Sequence, residues 1–170
     1  MSVTKLLSLN MFSSSIQSPI GVISIKADEE YVYCISCKEQ EPEEFPSSSA
    51  LTDLAAKQLN EYFEGRRSSF DFPIAQQGTD FQQSVWQELL NIPPGYPISY
   101  AALSRRMGTP LAIRAIAAAN GRNNLMIVVP CHRVIGSSGT LVGYAGGLWR
   151  KKWLLEHEAR MMQIGQLNLL

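Results

Sequence analysis

Residues 100–120, YAALSRRMGTPLAIRAIAAAN, restrict the possible fold more than any other part of this sequence. Ser99 is typical of a helix N-cap, and Gly108 is typical of the turn that ends a helix. Directly afterwards, Thr109 favours an N-cap and Pro110 the first position of a second helix. Two short helices joined by so tight a turn predict a helix-turn-helix.

Further elements are expected on both sides of this motif. Phe81, Val85 and Leu89 recur at helical spacing after Thr79 or Asp80 as the N-cap. The run Pro93-Pro94-Gly95 ends that helix, the apolar run LMIVV at 125–129 predicts a strand, and a last helix is expected from about Trp149 to Arg160.

The N-terminal half has a different pattern. Two β-rich runs within residues 18–37 flank Asp28-Glu29-Glu30, which predicts a hairpin. Residues 38–49 are linker-like, and a helix is expected over Ala50–Phe63, with Gly65 stopping it. The expected fold class is α+β: a small N-terminal α/β domain (an RNase H-like hairpin plus helix), followed by a mostly helical C-terminal domain with a winged-helix-like helix-turn-helix. The expected domains are residues 1–78, including the linker, and residues 79–170.

Charge is distributed unevenly between the two halves. The 170-residue chain has a net charge of zero, but residues 1–80 carry −6 and residues 81–170 carry +6. A basic module can bind nucleic-acid phosphates or can simply pair with an acidic neighbour, and charge alone leaves both open. No apolar run approaches the roughly 20 residues that cross a bilayer. Three cysteines and no secretory signal pattern indicate a reducing, cytoplasmic setting.

The second helix of the motif presents an unusually bare surface. If Ile113, Ile116 and Ala117 face inward, Arg114, Ala118 and Gly121 share another face. A helix that contacts base edges in the major groove normally projects several long polar side chains. A surface with one arginine suits close approach to a shallow groove instead. The alternative is an alanine-rich helix with an exposed arginine.

The stretch PCHR at 130–133 places a cysteine beside a histidine and an arginine. A thiolate is the reactive form of cysteine, and nearby cations favour it. Consecutive side chains diverge, so His132 is expected to reach Cys131 through a water. Glu158 shares a helix face with Leu154 and Leu155 and is a candidate to orient His132. A structural buried cysteine and a surface glutamate remain the alternatives.

PCHRVIG followed by GYAGG resembles the O6-alkylguanine-DNA alkyltransferase family, also called methylated-DNA–protein-cysteine methyltransferases. The resemblance covers about residues 79–160, and the SPIG hairpin is weakly similar to the family's first domain. It implies that Cys131 accepts the alkyl group, that His132 is the base acting through water, and that Glu158 orients it.

Other positions take their expected roles from the same resemblance. Tyr100, in the ISY element, matches the tyrosine that rotates a phosphate and assists the leaving base. Arg114 matches the arginine finger that fills the vacated base stack, and Asn123 matches the hinge asparagine. The implied DNA-binding residues are Tyr100, Arg114, Ala115, Ala118, Gly121 and Arg122. The implied pocket residues are Tyr144, which lines the base pocket, with Val134, Ala145 and Asn123. Phosphate contacts are expected from Arg105, Arg106, Arg122 and the Arg150-Lys151-Lys152 cluster.

The resemblance also implies the reaction. The Cys131 thiolate attacks the alkyl carbon of O6-alkylguanine in a nucleotide flipped out of the duplex, and the thioether is permanent. The partner is double-stranded DNA containing alkylated guanine, with O4-alkylthymine as a second candidate lesion. No cofactor or metal, no membrane association and a monomeric protein acting once are expected.

Three alternative functions compete with this interpretation. A lesion-binding module of the same fold would lack the reactive cysteine, which is present as Cys131. A cysteine hydrolase usually takes nucleophile and base from distant segments, whereas here His132 directly follows Cys131. A zinc site at Cys34 and Cys37 lacks a third and fourth ligand nearby, so these are expected to be half-buried strand residues. The chain departs from many family members at Asn124, where they have proline.

Overall fold

The computed structural model describes residues 10–37, 47–165, 167 and 169. It contains two compact units, one ending at Gln76 and the other starting at Gln77. Most of the predicted linker, residues 38–46, lies outside the described residues. No helix in the described part of the chain is long and apolar enough to span a membrane. The strands and helices are β1 (Phe12–Ser18), β2 (Gly21–Ala27), β3 (Val32–Cys37), α1 (Ala50–Phe63), α2 (Asp80–Leu89), β4 (Ile98–Ser99), α3 (Tyr100–Arg106), α4 (Ile113–Gly121), β5 (Val134–Ile135) and α5 (Leu148–Met161).

The N-terminal unit is an antiparallel sheet of order β1-β2-β3 packed against α1. The predicted hairpin around residues 28–30 is present as β2 and β3, with alternate β2 residues Ile23, Ile25 and Ala27 fully buried. Helix α1 has the predicted bounds and begins at a capping box formed by Ser49 and Thr52. Strand β1 was not predicted, because its sequence FSSSIQS has too few β-branched and aromatic residues to indicate a strand. Cys34 and Cys37 lie half-buried on β3, as expected.

The C-terminal unit is mostly helical, as predicted. Thr79 caps α2 and Ser99 caps α3, both through side-chain hydrogen bonds to the backbone. The Trp86 indole N–H of α2 donates to the Ala119 carbonyl of α4 over 2.9 Å. Because both groups are buried, this bond fixes where α4 lies relative to α2.

Two expectations about this unit are wrong. Helix α4 begins at Ile113, not at Pro110, because Thr109 to Ala112 form a turn closed by the Ala112 amide donating to the Thr109 carbonyl. The predicted strand at 125–129 is a buried turn, in which the Val129 amide donates to the Leu125 carbonyl. Ile127 has φ 72°, a left-handed conformation that is unfavourable for a β-branched residue.

Candidate active site

The buried turn at 125–130 leads directly into the candidate nucleophile. Cys131 begins a single 3₁₀ turn, Cys131–Arg133, and is 7% exposed. Asn123 braces the preceding turn: its Nδ2 donates to the Val129 carbonyl over 2.8 Å, and its Oδ1 accepts from the Leu125 amide over 3.0 Å. It also bonds to the Cys131 thiol. The turn strained at Ile127 is therefore tied at both ends by one side chain.

A short parallel strand pair brings Tyr100 to the same place. Strand β4 pairs with β5, matching Ile98 to Val134 and Ser99 to Ile135. Tyr100 follows β4 directly, and Cys131 to Arg133 precede β5 directly. The start of α3 and the cysteine turn therefore lie side by side, although 30 residues separate them in the sequence.

His132 is completely buried and contacts α5. Its Nε2 lies 2.7 Å from Glu158 Oε1, and both side chains are inaccessible to solvent. Arg133 contacts the same carboxylate: its Nε and one terminal nitrogen donate to the two Glu158 oxygens, each over 2.9 Å. A further Arg133 nitrogen donates to the Ile92 carbonyl over 2.6 Å. Glu158 thus contacts His132 as the sequence predicted, but it is fully buried and bound to Arg133 as well.

The charges in this cluster determine the state of His132. Arg133 already neutralises Glu158, and burial lowers the pKa of His132 below its ordinary value, so the imidazole is neutral. Burial alone would raise the pKa of Glu158, but hydrogen bonds from His132 and Arg133 and the charge of Arg133 hold it far below its ordinary value. An ionised carboxylate can only accept, so His132 carries its proton on Nε2. Its Nδ1 is buried, has no hydrogen-bond partner among the described residues, and keeps a lone pair for a proton.

The thiol environment differs from the one predicted from neighbouring cations. Burial raises the pKa of Cys131, while the Asn123 hydrogen bond and the Lys151 charge act in the opposite direction. His132 is neutral and Arg133 is bound to Glu158, so neither adjacent residue supplies the expected positive charge. The resting group is a thiol, and a base is required to activate it.

Lys151 lies in the site, and its predicted role as a phosphate contact is wrong. It was expected to contact phosphate, but it is fully buried, and its Nζ donates to the Val142 carbonyl over 3.0 Å. Its ammonium lies 5.9 Å from the centre of the Tyr100 ring. Burial lowers the pKa of Lys151 to about 8, so it is mainly protonated at neutral pH. Lys151 thus supplies the positive charge that acts on Cys131.

Tyr100 and Asn120 form a second buried pair next to the thiol. Burial raises the pKa of Tyr100, so the phenol keeps its proton at neutral pH. The Asn120 side-chain nitrogen lies 3.1 Å from the Tyr100 hydroxyl and 3.2 Å from the Cys131 carbonyl. Asn120 was not predicted as a site residue from the sequence. The available signal was its spacing of i+4 from Ile116, which places a polar residue on the buried face of α4.

Helix α4 exposes the surface predicted for DNA contact, with one difference. The buried positions are Ile116, Ala119 and Asn120, whereas of the residues predicted to face inward Ile113 is 40% exposed and Ala117 is only half-buried. The predicted contact residues Arg114, Ala115, Ala118, Gly121 and Arg122 are all exposed on or just after α4. The surface therefore carries one long cationic side chain within the helix, Arg114, and a second one directly after its last residue, Arg122.

The remaining predicted pocket residues lie in β5 and in the segment between β5 and α5. Val134 is buried within β5, Tyr144 is half-buried and Ala145 is exposed. A Cβ added at Gly146 would lie 3.2 Å from the Tyr144 ring, so a side chain there would crowd the ring. Within α5, the His157 ring stacks on the Trp153 ring with their centres 4.7 Å apart.

Comparisons with known proteins agree with this geometry. Residues 80–160 match the family model "6-O-methylguanine DNA methyltransferase, DNA binding domain", and residues 11–76 match the "6-O-methylguanine DNA methyltransferase, ribonuclease-like domain". The methylated-DNA–protein-cysteine methyltransferase of Methanosarcina acetivorans is 42% identical over 153 residues, covering 87% of this chain and 98% of the relative. This chain belongs to the 6-O-methylguanine DNA methyltransferase family.

Other relatives support the same assignment. The methylated-DNA–protein-cysteine methyltransferase of Mycobacterium tuberculosis is 44% identical over 149 residues, covering 85% of this chain and 90% of the relative. A crystal structure of the M. tuberculosis O6-methylguanine methyltransferase superposes with a TM-score of 0.80 at 41% identity, covering 89% of this chain and 94% of that one. A structure of the M. tuberculosis protein in complex with DNA also has a TM-score of 0.80, at 40% identity, covering 90% and 94%. The expected family, α+β fold and class of activity are confirmed.

Proposed function

We propose that Cys131 is the alkyl acceptor of this family member, and that His132 and Glu158 activate it. The thiol proton passes through a water to His132 Nδ1, and the sulfur then attacks the alkyl carbon. A sulfur–carbon bond forms as the carbon–O6 bond breaks, and the electron pair stays on guanine. Tyr100 donates a proton to the leaving base and regains one from protonated His132 through solvent, so the net reaction converts alkylguanine and thiol to guanine and thioether.

One observation carries this proposal: within the His132 ring, next in sequence to the thiol, the buried Nδ1 is the nitrogen whose lone pair is available. The other nitrogen, Nε2, donates a hydrogen bond to Glu158 over 2.7 Å. General base catalysis needs such a fixed tautomer, because the wrong one presents an N–H where a proton must be accepted. A structural role alone would not require an unpartnered polar atom in the core.

DNA engagement is proposed for the exposed face of α4. Arg114 enters the base stack in place of the flipped nucleotide, since unpairing costs a few kcal/mol that an inserted side chain offsets. Ala115, Ala118 and Gly121 allow the helix backbone to approach the minor groove closely. Arg105, Arg106 and Arg122, all exposed, contact phosphates without selecting sequence.

Base recognition is proposed for the segment around Tyr144, with Val134, Ala145 and Asn123 completing the pocket. The alkylated base stacks against the Tyr144 ring, which a side chain at position 146 would crowd. Residues 79–170 form the acceptor domain, and residues 1–78 the accompanying α+β domain. We further propose a cytoplasmic protein, located at the nucleoid if its source is prokaryotic, that acts as a monomer.

The test uses duplex DNA carrying O6-methylguanine with a radiolabelled methyl group. We expect irreversible transfer to the protein that stops at one equivalent, and no transfer to Cys131→Ser. Binding without transfer would instead support a lesion-binding module, and repeated turnover on an ester or amide would support a hydrolase. Both of these outcomes contradict the proposal. Circular dichroism and melting of Cys131→Ser provide the folding control.

A further inference from the structure

Asn120 occupies a buried position between two groups of the proposed reaction. It is 3% exposed on α4, and its side-chain nitrogen lies within hydrogen-bond distance of both the Tyr100 hydroxyl (3.1 Å) and the Cys131 carbonyl (3.2 Å). These two partners come from the start of α3 and from the cysteine turn. One amide therefore connects the proposed proton donor with the backbone of the proposed acceptor.

The Cys131 carbonyl determines which way this amide points. A carbonyl oxygen can only accept a hydrogen bond, so the atom facing it is the Asn120 nitrogen and not the oxygen. The same nitrogen then faces Tyr100 with its second hydrogen. Because an amide nitrogen in this state only donates, the Tyr100 oxygen accepts, and its own proton points elsewhere.

This orientation of the Asn120 amide has an energetic cost at its oxygen atom. Asn120 Oδ1 is buried and has no hydrogen-bond partner among the described residues. A buried polar atom without a partner is destabilising relative to its solvated state. An apolar residue of similar size would avoid that cost, so a cost accepted at this position points to a role in the reaction rather than in folding.

We propose that Asn120 is a positioning residue that keeps the Tyr100 proton directed at the leaving base. The proposal rests on the proposed function, in which Tyr100 donates that proton. By donating to the phenol oxygen, Asn120 also stabilises the charge that develops there as the proton leaves, and it acts on the Tyr100 pKa in the lowering direction. The bond to the Cys131 carbonyl holds the amide in the orientation that this role requires.

A double-mutant cycle tests this role, using single-turnover rates on duplex DNA with O6-methylguanine. Asn120→Leu should react on the order of 10-fold more slowly than wild type, the loss expected for one hydrogen bond. In a Tyr100→Phe background the same substitution should change the rate less than about 2-fold, because the proton it directs is gone. Asn120→Asp, of equal size, should also be slow, since its carboxyl gives the phenol an acceptor.

Two further measurements separate positioning from a purely structural effect. The rate at which a small neutral disulfide reagent modifies Cys131, and the DNA affinity, should be unchanged in Asn120→Leu, because neither needs the phenol proton. An equal loss of transfer rate with and without the Tyr100 hydroxyl would overturn the proposal, as would a matching loss of thiol reactivity. If wild type transfers no methyl group, the proposed function fails instead, so the two failures are distinguishable. Melting temperatures of each variant verify folding.

Discussion

Glu158→Gln is the substitution whose consequences follow most directly from the structure. The carboxylate is completely buried and accepts three hydrogen bonds, one from His132 over 2.7 Å and two from Arg133 over 2.9 Å each. Glutamine keeps the size but removes the charge, which leaves the Arg133 guanidinium buried with no counter-charge. Removing one partner of a buried ion pair costs roughly 3–5 kcal/mol. In a unit of this size, residues 77–170, that corresponds to a melting temperature lower by roughly 12 °C or more.

The matched control is Glu156→Gln in the same helix. Glu156 is 44% exposed and lies 3.9 Å from Lys152, a surface pair of the kind that contributes about 0–1 kcal/mol. Urea denaturation at pH 7, followed by fluorescence, gives the unfolding free energy of both variants and of wild type. If Glu158→Gln loses no more stability than Glu156→Gln, the buried-charge reasoning is wrong.

The pH dependence provides an independent check of the same cluster. The folded-state pKa of Glu158 is depressed, so its stabilisation is complete above the unfolded value of about 4.3 and is lost as the pH falls through the folded value. His132 also has a depressed pKa and is neutral when folded, so protonation of the unfolded chain below about pH 6.5 destabilises both proteins. The stability gap between wild type and Glu158→Gln should therefore stay constant from pH 7 to about 5 and shrink below about 4. A constant gap down to the acid transition would refute this assignment.

Three further predictions concern charges around the site. Lys151→Met should raise the Cys131 pKa further, because it removes the positive charge that acts on the thiol, and should slow the reaction with a neutral disulfide reagent roughly 10-fold at pH 7. Stability should not fall, because the substitution removes a buried ammonium, and a faster reaction would contradict this prediction. Arg114→Ala should slow methyl transfer from duplex DNA roughly 10-fold while leaving the disulfide reaction unchanged, and equal losses in both assays would contradict a role in base extrusion. Arg122→Ala should weaken DNA binding and reduce the slope of log affinity against log salt by about 1, and an unchanged slope would exclude a phosphate contact.

Local signals predicted much of the architecture. The caps at Thr79 and Ser99, the hairpin around residues 28–30, and α1 and α5 lie where the sequence placed them, within a residue or so. These features depend on neighbouring residues alone, so periodicity and capping chemistry are sufficient to find them. The proximity of Glu158 to His132 was expected from the helix face of Glu158 and from the family resemblance.

Tertiary context decided the features that were missed. The run at 125–129 is apolar because it is buried, and an apolar run of five residues does not distinguish a strand from a buried turn. Lys151 follows Arg150 and precedes Lys152, so it has the pattern of a surface cluster, yet its place on α5 points it into the core. The partners of Asn120 lie 20 and 11 residues away, and only the folded chain brings them together.

The central claim is that the Cys131 sulfur permanently accepts the alkyl group. Peptide mapping by mass spectrometry, after incubation with a duplex containing O6-methylguanine, locates the modification on the chain. We expect one added methyl group on the peptide that contains Cys131, and unmodified peptides containing Cys34 and Cys37. Repaired DNA together with an unmodified Cys131, or a methyl group on a different residue, would contradict the account.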